Sequence, residues 1–276
     1  MRLNELSCDN SMQVHQSEPG ATLGLWRGME QQKTPHEALA GRRVLITGGT
    51  TGIGRATLLA LAAQDARILT FGREEEALRH ALSLAGLSDD SGLNADASSA
   101  ADIEKIFAAV DDRLGGIDVL VACAALGAQP IHEMSDADWR YVVETNLVGT
   151  MACTRGALER MVAQGSGQIL LVSSISPEIK APGESVYAAT KAGIDAFALT
   201  LRKEVSEKGV RICVIQPGSV GSDMQPCTDR EQREAIARGE MLFAEEVAEA
   251  IAFVLTRSGR CDIPTLRIEP INQKTG

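Results

Sequence analysis

The chain has 276 residues, enough for one large domain or two small ones. Apolar residues make up 44% and charged residues 23%, so a sizeable core can form; with aromatics at 3% it must be built from Ala, Leu, Val and Ile. The 27 Lys and Arg against 37 Asp and Glu leave a net charge of −10, which excludes a general affinity for nucleic acid or an anionic membrane.

No apolar run approaches the roughly 18 residues of a membrane span. Met1 to Ser17 is too polar for a secretory signal. The six cysteines (Cys8, Cys123, Cys153, Cys213, Cys227, Cys261) form no CxxC pair, and the four histidines are dispersed. Neither a disulfide framework nor a metal site is expected, and a reducing cytoplasm is the expected setting.

Residues 1–40 read as an N-terminal extension, flexible or docked on a neighbouring subunit. The stretch lacks sustained periodicity and is punctuated by Pro19–Gly20 and Pro35, with a short helix expected from Pro35 to Ala40. Leu23, Leu25 and Trp26 are its apolar anchors. Residues 41–276 read as one domain. Strands are expected at Val44–Thr47, Arg67–Phe71, Gly92–Asn94, Val119–Ala122, Gln168–Ser173, Arg211–Gln216 and Thr265–Ile268. Helices are expected at Gly52–Gln64, Glu74–Leu84, Ala100–Leu114, Asp136–Gln164, Ser185–Lys208 and Ala244–Arg257. Strands that are apolar throughout are buried on both faces, so this alternation predicts an α/β fold, a parallel sheet with helices on both sides.

The first strand runs into Thr47-Gly48-Gly49-Thr50-Thr51-Gly52-Ile53-Gly54, and a helical pattern follows at once. Gly48 allows a tight turn, Gly52 lets backbone approach a pyrophosphate, and Gly54 lets helix and strand pack closely. N–H groups at the helix start then face the phosphates of a dinucleotide. The second strand ends Thr70-Phe71-Gly72-Arg73 without an acid to hold ribose hydroxyls. Arg73 offers a fork of donors suited to a 2′-phosphate, so NADP(H) is favoured, with NAD(H) possible. A solvated Arg73 neutralised by Glu74, Glu75 and Glu76 is the other reading.

The chain contains two tyrosines, Tyr141 and Tyr187. Tyr187 has Lys191 four residues on within a helical pattern, so the two share a face. A cation about 5 Å away stabilises a phenolate by roughly 3 kcal/mol at an effective dielectric near 20. That lowers the phenol by about two pKa units and makes Tyr187 a general acid and base.

The TGxxxGxG spacing of Thr47–Gly54, the Tyr187-Ala188-Ala189-Thr190-Lys191 match to YxxxK and Ser174 thirteen residues before Tyr187 resemble the short-chain dehydrogenase/reductase family over about residues 41–273. The resemblance implies a single-domain, Rossmann-type doubly wound sheet. It implies hydride transfer between NADP(H) and a carbonyl or secondary alcohol as a small-molecule substrate. Ser174 would position the substrate oxygen, with Ser173 as the rival. Lys191 would bind ribose as well as tune Tyr187. Asn146 would hold a water in a proton relay, or simply bond between helices. Asp96 and Ala97 would contact adenine, or Asp96 would cap the next helix. Cys123 and Ala124 would line the cofactor wall, Cys123 as a small hydrophobe. Thr50, Thr51 and Ile53 belong to the glycine turn, and Pro217, Gly218, Val220 and Ser222 match a PGxVxT segment beside the nicotinamide. Ser222 also reads as a helix cap.

The chain departs from the family at Ala122-Cys123-Ala124-Ala125, where Asn-Asn-Ala-Gly is usual. That departure and the extension motivate an alternative, a catalytically inactive nucleotide-binding sensor or scaffold. The ending Ile263–Pro270 resembles that of NADP-dependent 3-hydroxy acid dehydrogenases. Residues 223–241 are expected to form a substrate lid. A homodimer or homotetramer through the helices Asp136–Gln164 and Ser185–Lys208 is the expected assembly.

Overall fold

The computed structural model describes residues 37–225 and 227–274. The anchors Leu23, Leu25 and Trp26 lie outside the described residues. Residues 37–40 are not helical, contrary to the expected Pro35–Ala40 helix. They are joined to the body instead. The Glu37 N–H donates to Thr256 O at 3.0 Å, its carboxylate meets Arg211 at 3.1 Å, and Leu39 is 3% exposed.

The strands are β1 (Arg43–Thr47), β2 (Arg67–Gly72), β3 (Gly92–Asn94), β4 (Val119–Ala122), β5 (Gly167–Val172), β6 (Val210–Pro217) and β7 (Thr265–Ile268). They pair in parallel in the order β3-β2-β1-β4-β5-β6-β7. The helices are α1 (Gly52–Ala62), α2 (Glu75–Leu84), α3 (Ala100–Ala109), α4 (Asp136–Val143), α5 (Gly149–Gln164), α6 (Ser176–Ile179), α7 (Ser185–Val205), α8 (Asp229–Ala237) and α9 (Ala244–Leu255).

Side chains alternate across the sheet with the period-2 rule, and both faces are buried. Leu45, Leu120, Ile169 and Leu171 join a core with residues of α3, α5 and α7. Val44, Ile46, Val119, Val121 and Leu170 join the other, with Leu58 and Leu61 of α1 and Val247 and Ile251 of α9. The fold is the expected doubly wound sheet. The order reverses between β1 and β4, and a crevice opens beyond their carboxyl ends, where this topology places ligands.

Two elements differ from expectation. The single helix Asp136–Gln164 is interrupted by a wide π turn at Glu144–Val148, which holds buried Thr145 and Asn146. Such widenings recur at functional sites and leave no periodicity signal. Residues 223–241 contain α8, started by a capping box: the Glu231 carboxylate accepts the Thr228 N–H at 2.8 Å. Among the described residues, no helix is long and apolar enough to cross a membrane.

Candidate active site

The glycine turn between β1 and α1 lines a cleft of about 220 Å³. Gly48 has φ +68°, and a Cβ there would stand 2.8 Å from the Ala124 Cα. Only glycine lets the β1 exit lie against the β4 exit. A Cβ on Gly54 would stand 2.1 Å from the Gly48 carbonyl oxygen, so Gly54 closes the turn on itself and not against a strand. The altered segment after β4 is braced by Thr47, whose hydroxyl accepts the Cys123 N–H at 3.0 Å and the Ala124 N–H at 2.9 Å.

All of the expected cofactor contacts line this one cleft: Gly48, Thr50, Thr51, Gly52, Ile53 and Gly54 from the turn; Arg73, Asp96 and Ala97 at one end; Cys123 and Ala124 on the β4 wall; Tyr187 and Lys191 from α7; and Pro217, Gly218, Val220 and Ser222 after β6. The donor set fits a dinucleotide. No side chain caps the α1 N-terminus and no acid stands in its first turn, so backbone N–H groups and the helix dipole are available to a diphosphate. Burial pushes the Cys123 thiol up to about 12, so it remains a neutral wall group.

At the far end, the Arg73 guanidinium donates from Nη1 to the Tyr141 hydroxyl at 2.6 Å, and that hydroxyl donates to Asp96 Oδ2 at 2.5 Å. Asp96 Oδ1 accepts from the N–H and hydroxyl of Ser98, both at 2.8 Å, so Asp96 also starts the next segment as a cap would.

In the other direction the cleft reaches Ser174, Tyr187 and Lys191. Lys191 is 2% exposed, its Nζ donates to Val172 O at 2.8 Å and lies 5.4 Å from the centre of the Tyr187 ring. Burial lowers its pKa to about 8. Tyr187 departs from expectation. Burial pushes its phenol up to about 12, with the Glu184 carboxylate adding to the rise, against a hydrogen bond with Ser174. Desolvation of the phenolate is the largest cause, and the Lys191 ammonium is turned toward a backbone carbonyl. The phenol is therefore held in its acid form.

The two serines divide. Ser173 is buried and donates to Lys191 O at 3.2 Å, tying β5 to α7. Ser174 donates to Ser176 Oγ at 3.1 Å, and Ser176 donates to Glu184 Oε2 at 2.9 Å. Asn146 is not brought to the cleft wall. It is fully buried behind it, accepting the Leu126 N–H at 2.7 Å and donating to Leu126 O at 2.8 Å and Thr190 Oγ1 at 3.3 Å.

A second cavity of about 800 Å³ shares Ser174, Tyr187, Gly218, Met224 and Gln225 with the cleft. Its further walls come from Pro130, Met134, Ile175, Ile179, Pro182 and Glu184. Of the described residues of the expected lid, Met224 and Gln225 border it. Much of the enclosure comes from residues 127–130, after β4, and from residues in and around α6, a four-residue helix that sequence periodicity could not reveal.

Comparison with known proteins agrees with this geometry. The short chain dehydrogenase family matches the chain over residues 42–233. NADP-dependent 3-hydroxy acid dehydrogenase YdfG of Escherichia coli is 32% identical over 242 residues, covering 83% of this chain and 95% of that protein. The 3-oxoacyl-[acyl-carrier-protein] reductase FabG of Vibrio cholerae is 28% identical over 221 residues, covering 78% and 90%. The crystal structure of a single-substitution variant of actinorhodin polyketide ketoreductase with NADPH superposes with a TM-score of 0.74 at 28% identity, covering 84% of this chain and 97% of that one.

Proposed function

The chain belongs to the short chain dehydrogenase family, and on that premise we propose that it transfers hydride between NADP(H) and a carbonyl compound or secondary alcohol, with Tyr187 as the general acid and base. The nicotinamide, when bound, supplies or accepts the hydride. One observation carries the reading: Ser174 and Tyr187 lie on the wall common to the cleft beside the glycine turn and the larger cavity next to it. A carbonyl oxygen in the larger cavity would meet both hydroxyls. Tyr187 is protonated throughout the neutral range, so it can deliver its proton to the oxygen as negative charge develops there. The Ser174 hydroxyl orients the same oxygen. Lys191 supplies positive charge beneath the Tyr187 ring below about pH 8 and would hold ribose. Ser174, Tyr187 and Lys191 are the proposed catalytic group, with Asn146 supporting the wall behind it.

Arg73 supports NADP(H), as do the NADP-dependent YdfG and the ketoreductase crystallised with NADPH. The stretch Ala122–Ala125, which with the extension motivated the sensor or scaffold alternative, is braced by Thr47, and the cleft keeps Ser174, Tyr187 and Lys191, which supports the enzyme reading. A homodimer or homotetramer remains part of the proposal, with Val148, Val162 and Leu199 exposed on α5, its preceding turn and α7. The test is consumption of NADPH with a panel of ketones and 3-oxo acid derivatives. Tyr187→Phe should lower turnover by about 10²–10⁴-fold while NADP⁺ affinity stays within about twofold. Equal turnover in the variant would refute the assignment of Tyr187.

A further inference from the structure

Tyr141 belongs to neither cavity, yet it joins the two charged residues at the adenosine end of the cleft. Its place on α4 follows from a firm N-terminus, where Ser135 Oγ accepts the Asp138 N–H at 3.1 Å. The direction of each hydrogen bond is unambiguous. A guanidinium only donates and a carboxylate only accepts. The phenol hydrogen therefore lies on Asp96, and a phenol lone pair faces Arg73.

The hydroxyl thus acts as a neutral spacer between a cation and an anion. Arg73 gives it one N–H, from Nη1, and makes no other side-chain hydrogen bond among the described residues. Its backbone is fixed separately, since Asn94 Nδ2 donates to Arg73 O at 2.7 Å. The guanidinium is also 5.6 Å from the centre of the Tyr141 ring, within reach of its face. Without the phenol oxygen, Arg73 and Asp96 could close into a direct ion pair. A bidentate pair of that kind engages the same fork of donors that a phosphate would need. The nearest acids on α2 do not substitute for the phenol: Glu75 is paired with Arg79 at 2.5 Å, and neither Glu74 nor Glu76 is bonded to Arg73.

We propose that Tyr141 is a positioning residue for the adenosine 2′-phosphate: its hydroxyl keeps Arg73 out of an ion pair with Asp96, and thereby sets the preference for NADP(H) over NAD(H). The inference rests on the cofactor reading above and deepens it. Tyr141 itself lines neither cavity and meets the cleft only through the side chains of Arg73 and Asp96. It acts by holding the Arg73 donors apart from Asp96, so its effect falls on the ligand that carries the extra phosphate.

Isothermal titration of the full chain with NADP⁺ and NAD⁺, and with adenosine 2′,5′-bisphosphate and AMP as nicotinamide-free probes, tests this without turnover. Tyr141→Phe should weaken NADP⁺ and the bisphosphate by about tenfold, the size of one hydrogen bond to a charged group. NAD⁺ and AMP should bind within about twofold of the wild type. Adding Asp96→Asn to Tyr141→Phe removes the competing anion, and the NADP⁺ to NAD⁺ affinity ratio should recover. A ratio unmoved by Tyr141→Phe, or tighter NADP⁺ binding in that variant, overturns the inference while leaving the cofactor reading intact. A wild type that binds neither dinucleotide overturns both.

Discussion

Replacing Asn146 with alanine separates two roles that the residue can play. Its carboxamide satisfies both the N–H and the C=O of Leu126 and reaches Thr190, all in a fully buried setting. Asn146→Ala leaves the two backbone groups of Leu126 without partners. Each buried orphan costs about 1–3 kcal/mol; a water admitted into the space of the lost amide would recover part of that, leaving a net loss of about 3 kcal/mol. For a domain of this size the melting temperature should fall by about 6–12 °C. Urea unfolding followed by far-ultraviolet circular dichroism should give a lower midpoint with an unchanged slope. Leu126 lines the cleft, so turnover should fall with stability, while the pH profile of kcat/KM keeps its shape because no titrating group is touched. Stability within about 0.5 kcal/mol of the wild type, together with a displaced alkaline limb, would refute the clamp and make Asn146 a member of the proton path.

Three further outcomes follow from the site. Gly54→Ala forces a methyl group to within 2.1 Å of the Gly48 carbonyl oxygen, so the turn must open; titration should show at least about a hundredfold loss of NADP⁺ affinity, and unchanged binding would show slack in the turn. Lys191, lowered to about 8, carries its charge below that pH and loses it above, whereas Tyr187 at about 12 keeps its proton. Carbonyl reduction should therefore decline as the pH rises through about 8 and the decline should vanish in Lys191→Met; a wild-type profile flat to about pH 10 would exclude the lysine charge from the rate. Glu184 raises the Tyr187 pKa through its charge, so Glu184→Gln, which can still accept from Ser176, should move the limb of alcohol oxidation to lower pH. A limb at its original position would show that the carboxylate does not act on the phenol.

The residues nearest one another in the chain were the most legible. Tyr187 and Lys191 share a helical face because helices bring positions four apart together, and the apolar strands announce a sheet buried on both sides. The glycine turn is equally local, as its neighbours in sequence are its neighbours in space. The brace from Thr47 to Cys123 and Ala124 spans more than seventy residues and carries no periodic mark. The clamp from Asn146 to Leu126 and the chain from Arg73 through Tyr141 to Asp96 likewise join residues twenty or more positions apart and carry no periodic mark. The π turn that carries Asn146 is also invisible, because one widened turn leaves the surrounding helical pattern nearly intact.

The sequence by itself determined the parallel sheet, the glycine turn between β1 and α1 and the shared helical face of Tyr187 and Lys191, since each follows from side-chain pattern within a few residues of chain. Only the tertiary structure decided which serine faces the larger cavity, what encloses that cavity, and that burial raises the Tyr187 phenol. These depend on desolvation and on contacts between distant segments, and a field or a burial is a sum over everything nearby in space, which linear order does not specify.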